Sequence, residues 1–140
     1  MEWHDLLVDR FEYWEIYLHN PHYYLGSVVI RAKRDGDFDM LDMTDEELQE
    51  FMIISRKIKK AIIKLFQPDR FNYADLQNTI HHLHIHIIPR YKEPREYYGY
   101  VFRDEQWGKC FYPYDENIVV EDQLLLSLCR DIKNAMYGKH

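Results

Sequence analysis

Residues 78–91 have the sequence Asn-Thr-Ile-His-His-Leu-His-Ile-His-Ile-Ile-Pro-Arg-Tyr, in which histidines occupy every second position from His82 to His86. Apolar residues fill the alternate positions: Leu83, Ile85 and Ile87. Because successive side chains of an extended chain point to opposite faces, the pattern predicts a β-strand with three imidazoles on one face. Neighbouring imidazoles on that face would lie roughly 6–7 Å apart. Such crowding of titratable rings indicates a chemical role.

Two kinds of chemistry would explain a row of histidines on a strand. One is catalysis, with imidazole as nucleophile, acid or base, and the other is ligation of a metal such as Zn²⁺. Catalytic metal sites usually recruit a carboxylate or a distant histidine as well, and only Asp75 lies near in sequence. A plain, solvated polar face is the third interpretation.

A phosphoanhydride is one bond that this arrangement suits. Its negative charges repel nucleophiles, so an enzyme must supply an uncharged attacker and screen the oxygens. Imidazole, with an unperturbed pKa of about 6.5, is largely neutral at pH 7. His84, flanked by His82 and His86, is best placed to attack, while a neighbour binds a phosphate oxygen or protonates the leaving group. A backbone carbonyl would orient the other nitrogen of the attacking ring.

The segment His82-Leu83-His84-Ile85-His86-Ile87-Ile88 resembles the signature of the histidine triad (HIT) superfamily of nucleotide hydrolases and transferases. The following Pro89-Arg90 is more similar to the branch that cleaves dinucleoside polyphosphates than to the nucleoside phosphoramidate hydrolases, whose Trp-Pro tail this chain lacks. The resemblance implies cleavage at the α-phosphate of a (di)nucleoside polyphosphate through a nucleotidyl-histidine, with release of a nucleoside monophosphate. A phosphoramidate hydrolase and a non-catalytic nucleotide-binding protein remain alternatives.

Roles for individual residues also follow from the resemblance. It makes His84 the nucleophile, His86 a phosphate ligand and proton donor, and His82 a supporting member of the network. Asn78 stands where the family often places an amide that contacts the phosphates. The resemblance also implies a homodimer joined through a strand and the long helix. No tightly bound cofactor is expected, and a divalent metal would accompany the nucleotide by coordinating it.

Three further residues are weaker candidates for contacts with the substrate. Asn72 and Asn20 are candidates for phosphate and ribose contacts, although each suits an ordinary turn. Arg90 is a candidate for steadying the polyphosphate, with a solvated strand end as its alternative. Relatives with a histidine after the glycine that opens the second strand differ from this chain, where Ser27 follows Gly26.

The rest of the chain predicts an α+β fold. Strands are expected at 14–18, 26–33 and 70–76 besides the histidine strand, with the first two paired as a hairpin. Thr44-Asp45-Glu46-Glu47 predicts a capping box for a long helix ending near Phe66. With a final helix over 121–137, this gives an antiparallel sheet of about five strands with the long helix on one face.

Length and composition set the remaining limits. The 140 residues fit a single domain, with the triad core at about 14–92 and an aromatic, charged extension at 93–140. The aromatic segment within 90–119 would pack over the core or a subunit interface, or form the rim of a base-stacking pocket. A net charge of −6 argues against nucleic-acid binding. Two unpaired cysteines and the lack of a leader or membrane span predict a cytoplasmic protein.

Overall fold

A computed structural model describes residues 1–139 of the chain. Its main element is a five-stranded antiparallel sheet of order β1-β2-β3-β5-β4. The strands are β1 (Leu7–Arg10), β2 (Trp14–Leu18), β3 (Val28–Ala32), β4 (Arg70–Ala74) and β5 (His84–Arg90). Helix α1 (Asp45–Phe66) precedes β4, and helix α2 (Asp122–Met136) ends the fold. A small hairpin, β6 (Arg95–Tyr97) and β7 (Tyr100–Phe102), lies between β5 and α2. The predicted α+β architecture is confirmed.

The core lies between one face of the sheet and the two helices. Alternate residues of β2, β3 and β5 are fully buried, and α1 and α2 present their apolar stripes to them. The main contributors are Trp14, Ile16, Ile30, Ile54, Ile58, Ile62, Ile87, Leu125, Leu128 and Ile132. Because this core covers only one face, the opposite face is left for other groups.

The predicted capping box of α1 is present. The Thr44 hydroxyl accepts from the Glu47 backbone N–H at 3.1 Å, and the Glu47 carboxylate accepts from the Thr44 N–H at 2.8 Å. Glu47 is buried and also pairs with Arg34, which holds the pKa of its carboxyl below the usual value. Trp14 donates its indole N–H to the Glu47 carbonyl at 2.9 Å, which ties the start of α1 to β2.

Register places the histidines of β5 opposite β3 on the outer face of the sheet. His84 lies opposite Arg31, and His86 lies opposite Val29. On the other side of β5, His86 pairs with Ala74 of β4. The segment 103–120 crosses this outer face without forming helix or strand. Within the described residues, no helix is both long enough and apolar enough to cross a membrane.

Candidate active site

His84 is the first residue of β5, and its imidazole is fixed by the backbone just before the strand. Nδ1 lies 2.7 Å from the His82 carbonyl oxygen. Because a carbonyl only accepts, Nδ1 carries a proton, and in the neutral ring the lone pair is then on Nε2. Nε2 has no hydrogen-bond partner among residues 1–139, and the ring lines a pocket. This is the carbonyl orientation that the sequence predicted for the central histidine.

His86 and His19 stand beside His84 in the same pocket. The ring centroids of His84 and His86 are 5.2 Å apart, as are those of His86 and His19. Burial lowers the pKa of His86 to about 4, and burial likewise lowers the pKa of His19 to about 4. Both rings are therefore neutral near pH 7, so they provide hydrogen bonds without net charge.

The ring of His82 does not line the pocket with those of His84 and His86, although the sequence predicted all three rings on one strand face. The strand begins only at His84, so the alternation that would align the three rings does not extend back to residue 82. His82 instead has Nε2 at 2.5 Å from the Ala32 carbonyl, and its ring does not line the pocket. Its contribution is the backbone carbonyl that holds His84.

The turn between β2 and β3 brings a buried hydroxyl to the pocket. His22 donates from Nδ1 to the His19 carbonyl at 2.8 Å and accepts the Gly26 N–H at Nε2 at 3.0 Å. Gly26 has a φ of +83°, which favours glycine. The next residue, Ser27, is 2% exposed and lines the pocket, and its hydroxyl has no hydrogen-bond partner within residues 1–139. A ligand could supply that partner.

The loop between β4 and β5 forms one side of the pocket. Asn78 lines it, as the resemblance implied, together with its neighbours Gln77 and Thr79. Gln77 has a φ of +51° and donates its amide to the carbonyls of Phe38 and His81 at 2.9 and 2.8 Å, so the loop is anchored next to Asn78. Burial raises the pKa of Asp75, which lies close enough to His84 for their charges to interact.

Aromatic residues of the carboxyl-terminal extension also line the pocket. Phe111, Tyr112 and Tyr114 line the pocket together with Tyr24 from the β2–β3 turn. The Tyr24 hydroxyl donates to the Phe111 carbonyl, and the Tyr114 ring lies 5.5 Å from that of Tyr24. Of the interpretations left open for this segment, the structure places it at the rim of the histidine pocket, while Tyr97 and Phe102 join the main core.

Arg90 is neither a solvated strand end nor a free phosphate ligand, which corrects both interpretations. It is 3% exposed, and Asp104 accepts from its Nε at 2.7 Å and from its Nη2 at 3.1 Å. Its Nη1 donates to Asn72 Oδ1 and to the Lys109 carbonyl. Asn72 is therefore tied to Arg90 outside the pocket, and Asn20 is an exposed turn residue that does not line it.

The histidine pocket has a volume of about 390 Å³, within the usual range for small-molecule sites. A larger cleft of about 680 Å³ lies between the β6–β7 hairpin and α2, but no histidine lines it. We therefore assign the candidate active site to the smaller pocket, because it contains the oriented imidazoles and the unpartnered hydroxyl. Among residues 1–139, no group of three or more His, Cys, Asp or Glu side chains is placed to hold a metal ion.

The sequence did not identify His19 or Ser27 as site residues, whereas the rim of a base-stacking pocket was one of the roles expected for the aromatic segment. His19 follows the predicted strand 14–18 directly, and the Asn20-Pro21 after it indicate only a turn. The signal that could have identified it is a second histidine, His22, three residues later in the same turn. Neither Ser27 nor the aromatic segment carries a periodic pattern that points to a site.

Comparison with known proteins gives a consistent picture of the fold. A family model described as HIT domain matches residues 5–93. A histidine triad protein from Marinobacter aquaeolei superposes with a TM-score of 0.76 at 16% identity, covering 99% of this chain and 94% of that one. A hypothetical histidine triad nucleotide-binding protein from Sulfolobus tokodaii gives 0.70 at 17% identity, covering 95% and 84%. A zinc-bound histidine triad family protein from Mycobacterium smegmatis gives 0.60 at 15% identity with the same coverage. The search of curated proteins finds no match.

Proposed function

The chain belongs to the HIT domain family, and from this premise we propose that it is a nucleotide hydrolase or transferase acting at the α-phosphate of a (di)nucleoside polyphosphate. The observation that carries the proposal is the orientation of His84. Its Nδ1–H is held by the His82 carbonyl, and its ring lines the pocket with Nε2 unpartnered among residues 1–139. A fixed lone pair in a pocket of nucleotide size is what nucleophilic attack on phosphorus requires.

The reaction takes two displacements. Nε2 of His84 forms a bond to the α-phosphorus while the bond from phosphorus to the bridging oxygen breaks, and that oxygen leaves with the rest of the phosphate chain. As the P–N bond forms, the positive charge on the ring is stabilised by the His82 carbonyl. Water then attacks the nucleotidyl-histidine, the P–N bond breaks, and nucleoside monophosphate is released with His84 regenerated.

The neighbouring side chains suit the charge of the substrate. His86 is neutral near pH 7 because burial lowers its pKa to about 4. A bound phosphate chain would raise that pKa, because a nearby negative charge favours the protonated ring. His86 is thus placed to donate to a phosphate oxygen and to protonate the leaving group, and the Ser27 hydroxyl and the Asn78 amide provide uncharged donors beside it.

Hydrolysis of diadenosine triphosphate and tetraphosphate tests the proposal directly. Wild-type protein should release AMP without added metal, and His84→Asn should reduce kcat by at least 1,000-fold, on the order of the loss seen for other catalytic nucleophiles. His81→Asn is the matched control, because His81 is an exposed histidine on the same segment that does not line the pocket. Equal activity of His84→Asn and His81→Asn would refute the assignment.

We also propose a homodimer, as the family resemblance implies. Strand β4 is an edge of the sheet, and helix α1 exposes apolar side chains beside the core: Leu48, Met52, Ile53 and Ile63. An unpaired strand edge and exposed apolar groups favour pairing with a second copy. Light scattering on a size-exclusion column should give twice the mass of the chain, and a monomeric mass at micromolar concentration would contradict the dimer.

A further inference from the structure

A second pocket lies on the outer face of the sheet, at the end of β5 opposite to His84. This Arg70 pocket has a volume of about 230 Å³ and is lined by Arg70, Asn72, Arg90, Trp107, Gly108 and Lys109. It shares no lining residue with the histidine pocket. Arg90 follows His86 by four residues on the same strand face, roughly 13 Å further along. The Arg70 pocket is therefore a separate site.

Two arginines occupy directly opposite positions in this pocket. Arg70 of β4 pairs with Arg90 of β5 in the sheet register, so both side chains stand on the same face. Like charges at opposite positions destabilise a sheet unless they are compensated. Arg90 is compensated by Asp104 at 2.7 Å, whereas the exposed Arg70 has no ion pair within residues 1–139. A bound anion would supply the compensation that Arg70 lacks.

The buried Arg90 positions two further groups beside Arg70. Its Nη1 donates to Asn72 Oδ1 at 2.8 Å and to the Lys109 carbonyl at 3.0 Å. Because Asn72 accepts through its amide oxygen, its Nδ2 group is left as a donor, and it has no partner in the part of the chain that the structure describes. The Lys109 carbonyl is held by the same guanidinium, which keeps a second exposed cation at the rim.

The charge around the Arg70 pocket is positive. No Asp or Glu side chain lines it. The nearby Asp69 carboxylate accepts the Lys92 N–H at 2.8 Å and lies 3.9 Å from the Arg95 guanidinium, so it is already engaged. The Lys92 ammonium lies 5.7 Å from the centre of the Trp107 ring and adds a further cation. In a chain of net charge −6, this local excess of cations attracts anions to one place.

The size of the pocket limits what it can hold. A volume of about 230 Å³ is below the roughly 300–1,000 Å³ of sites that enclose a drug-sized ligand. A guanidinium matches the oxygens of a phosphate group with paired N–H donors, and an ammonium and an amide add single donors. The pocket therefore suits one phosphate group rather than a whole nucleotide.

We propose that the Arg70 pocket is a second, phosphate-binding site, in which Arg70, Lys109 and the Asn72 amide contact the anion. Arg90 does not contact the phosphate in this proposal but positions Asn72 and Lys109. The phosphate is a free ion or the terminal phosphate of a larger molecule. The site does not depend on the reaction proposed for the histidine pocket.

Titration of nitrogen-15-labelled protein with inorganic phosphate tests the site. The indole N–H signal of Trp107, assigned with Trp107→Phe, should shift saturably with a dissociation constant in the millimolar range or tighter, and sodium chloride of equal ionic strength should leave the signal in place. Arg70→Gln and Lys109→Gln should each weaken phosphate binding about fivefold or more, because each removes a charge-assisted hydrogen bond.

Two control variants separate this site from general charge effects and from the histidine pocket. Lys60→Gln removes an exposed cation of α1 outside the Arg70 pocket, so its titration should match that of the wild type. His84→Asn changes the other pocket and should leave the Trp107 titration unchanged. The site is refuted if phosphate shifts the signal no more than chloride does, if Arg70→Gln behaves like Lys60→Gln, or if His84→Asn abolishes the response.

A second titration, in the presence of saturating non-hydrolysable α,β-methylene ADP, distinguishes the two sources of the phosphate. An unchanged dissociation constant for inorganic phosphate would support a free ion as the ligand. Competition at the Trp107 signal, relieved in Arg70→Gln, would support the terminal phosphate of a nucleotide. Loss of dinucleotide cleavage in the wild type would refute the proposed hydrolase without affecting either result.

Discussion

Acid should destabilise this protein through His22, the histidine that organises the β2–β3 turn. His22 is fully buried, donates to the His19 carbonyl and accepts the Gly26 N–H. Protonation would place a second N–H against the Gly26 N–H and a charge in the core, so burial lowers its pKa from 6.5 to about 4. The perturbation to test is therefore the pH itself, with His22→Gln as the variant that cannot titrate.

The size of the stability loss follows from the pKa of His22 in the unfolded chain, 6.5, and its pKa in the folded protein, about 4. Above pH 6.5 the folded and unfolded states both carry a neutral His22, and its contribution to the free energy of unfolding is constant. As the pH falls from 6.5 toward 4, the unfolded chain takes up a proton that the folded protein refuses, so stability decreases. At 1.36 kcal/mol for each pH unit, the loss attributable to His22 reaches about 3 kcal/mol near pH 4.

Urea denaturation at a series of pH values measures this loss. The wild type should lose about 3 kcal/mol more than His22→Gln between pH 6.5 and 4, whatever constant cost the substitution adds. His81→Gln, which replaces an exposed histidine, should lose as much as the wild type. NMR of the folded wild type gives an independent check, since the His22 ring should not titrate above about pH 5. Equal pH slopes for wild type and His22→Gln, or a His22 pKa near 6.5, would contradict a buried His22 that resists protonation.

Two other substitutions test the supports of the pocket. Asp104→Asn leaves the Arg90 guanidinium buried without its ion pair, so the free energy of unfolding in urea should fall by about 3 kcal/mol or more. The control Glu105→Gln, at the exposed neighbouring residue, should change the free energy of unfolding by less than about 0.5 kcal/mol. Similar values for the two variants would contradict a structural role for the Arg90–Asp104 pair. Ser27→Ala removes the unpartnered hydroxyl, so affinity for α,β-methylene ADP should fall about fivefold while the free energy of unfolding is maintained. Unchanged affinity would show that the Ser27 hydroxyl does not contact phosphate.

The parts of the fold that follow a period were predictable from the sequence. Alternation gave β2, β3 and β5, and three- and four-residue spacing with the capping box at Thr44 gave α1. Strand β1 was not predicted, because it has only four residues and its pairing shifts register between Leu7 and Asp9. A strand that short with a bulge leaves no clear alternation.

The candidate site was predictable only where local sequence determines geometry. His84 and His86 share a face because they lie two residues apart within one strand. The burial of Arg90 depends on Asp104, fourteen residues further along an irregular segment, and no local pattern encodes that pairing. The same holds for Tyr112, whose position depends on contacts with Tyr114 and with the β2–β3 turn.

In the proposed reaction the nucleotidyl group is transferred to His84 Nε2 before water attacks its phosphorus. The stereochemical outcome at the α-phosphorus tests this most directly, using a dinucleotide with a chiral phosphorothioate at that position, cleaved in oxygen-18-labelled water. Two successive in-line displacements through a nucleotidyl-histidine predict retention of configuration in the released monophosphorothioate, read by phosphorus NMR. Inversion would mean that water attacks the substrate directly, and it would contradict the account.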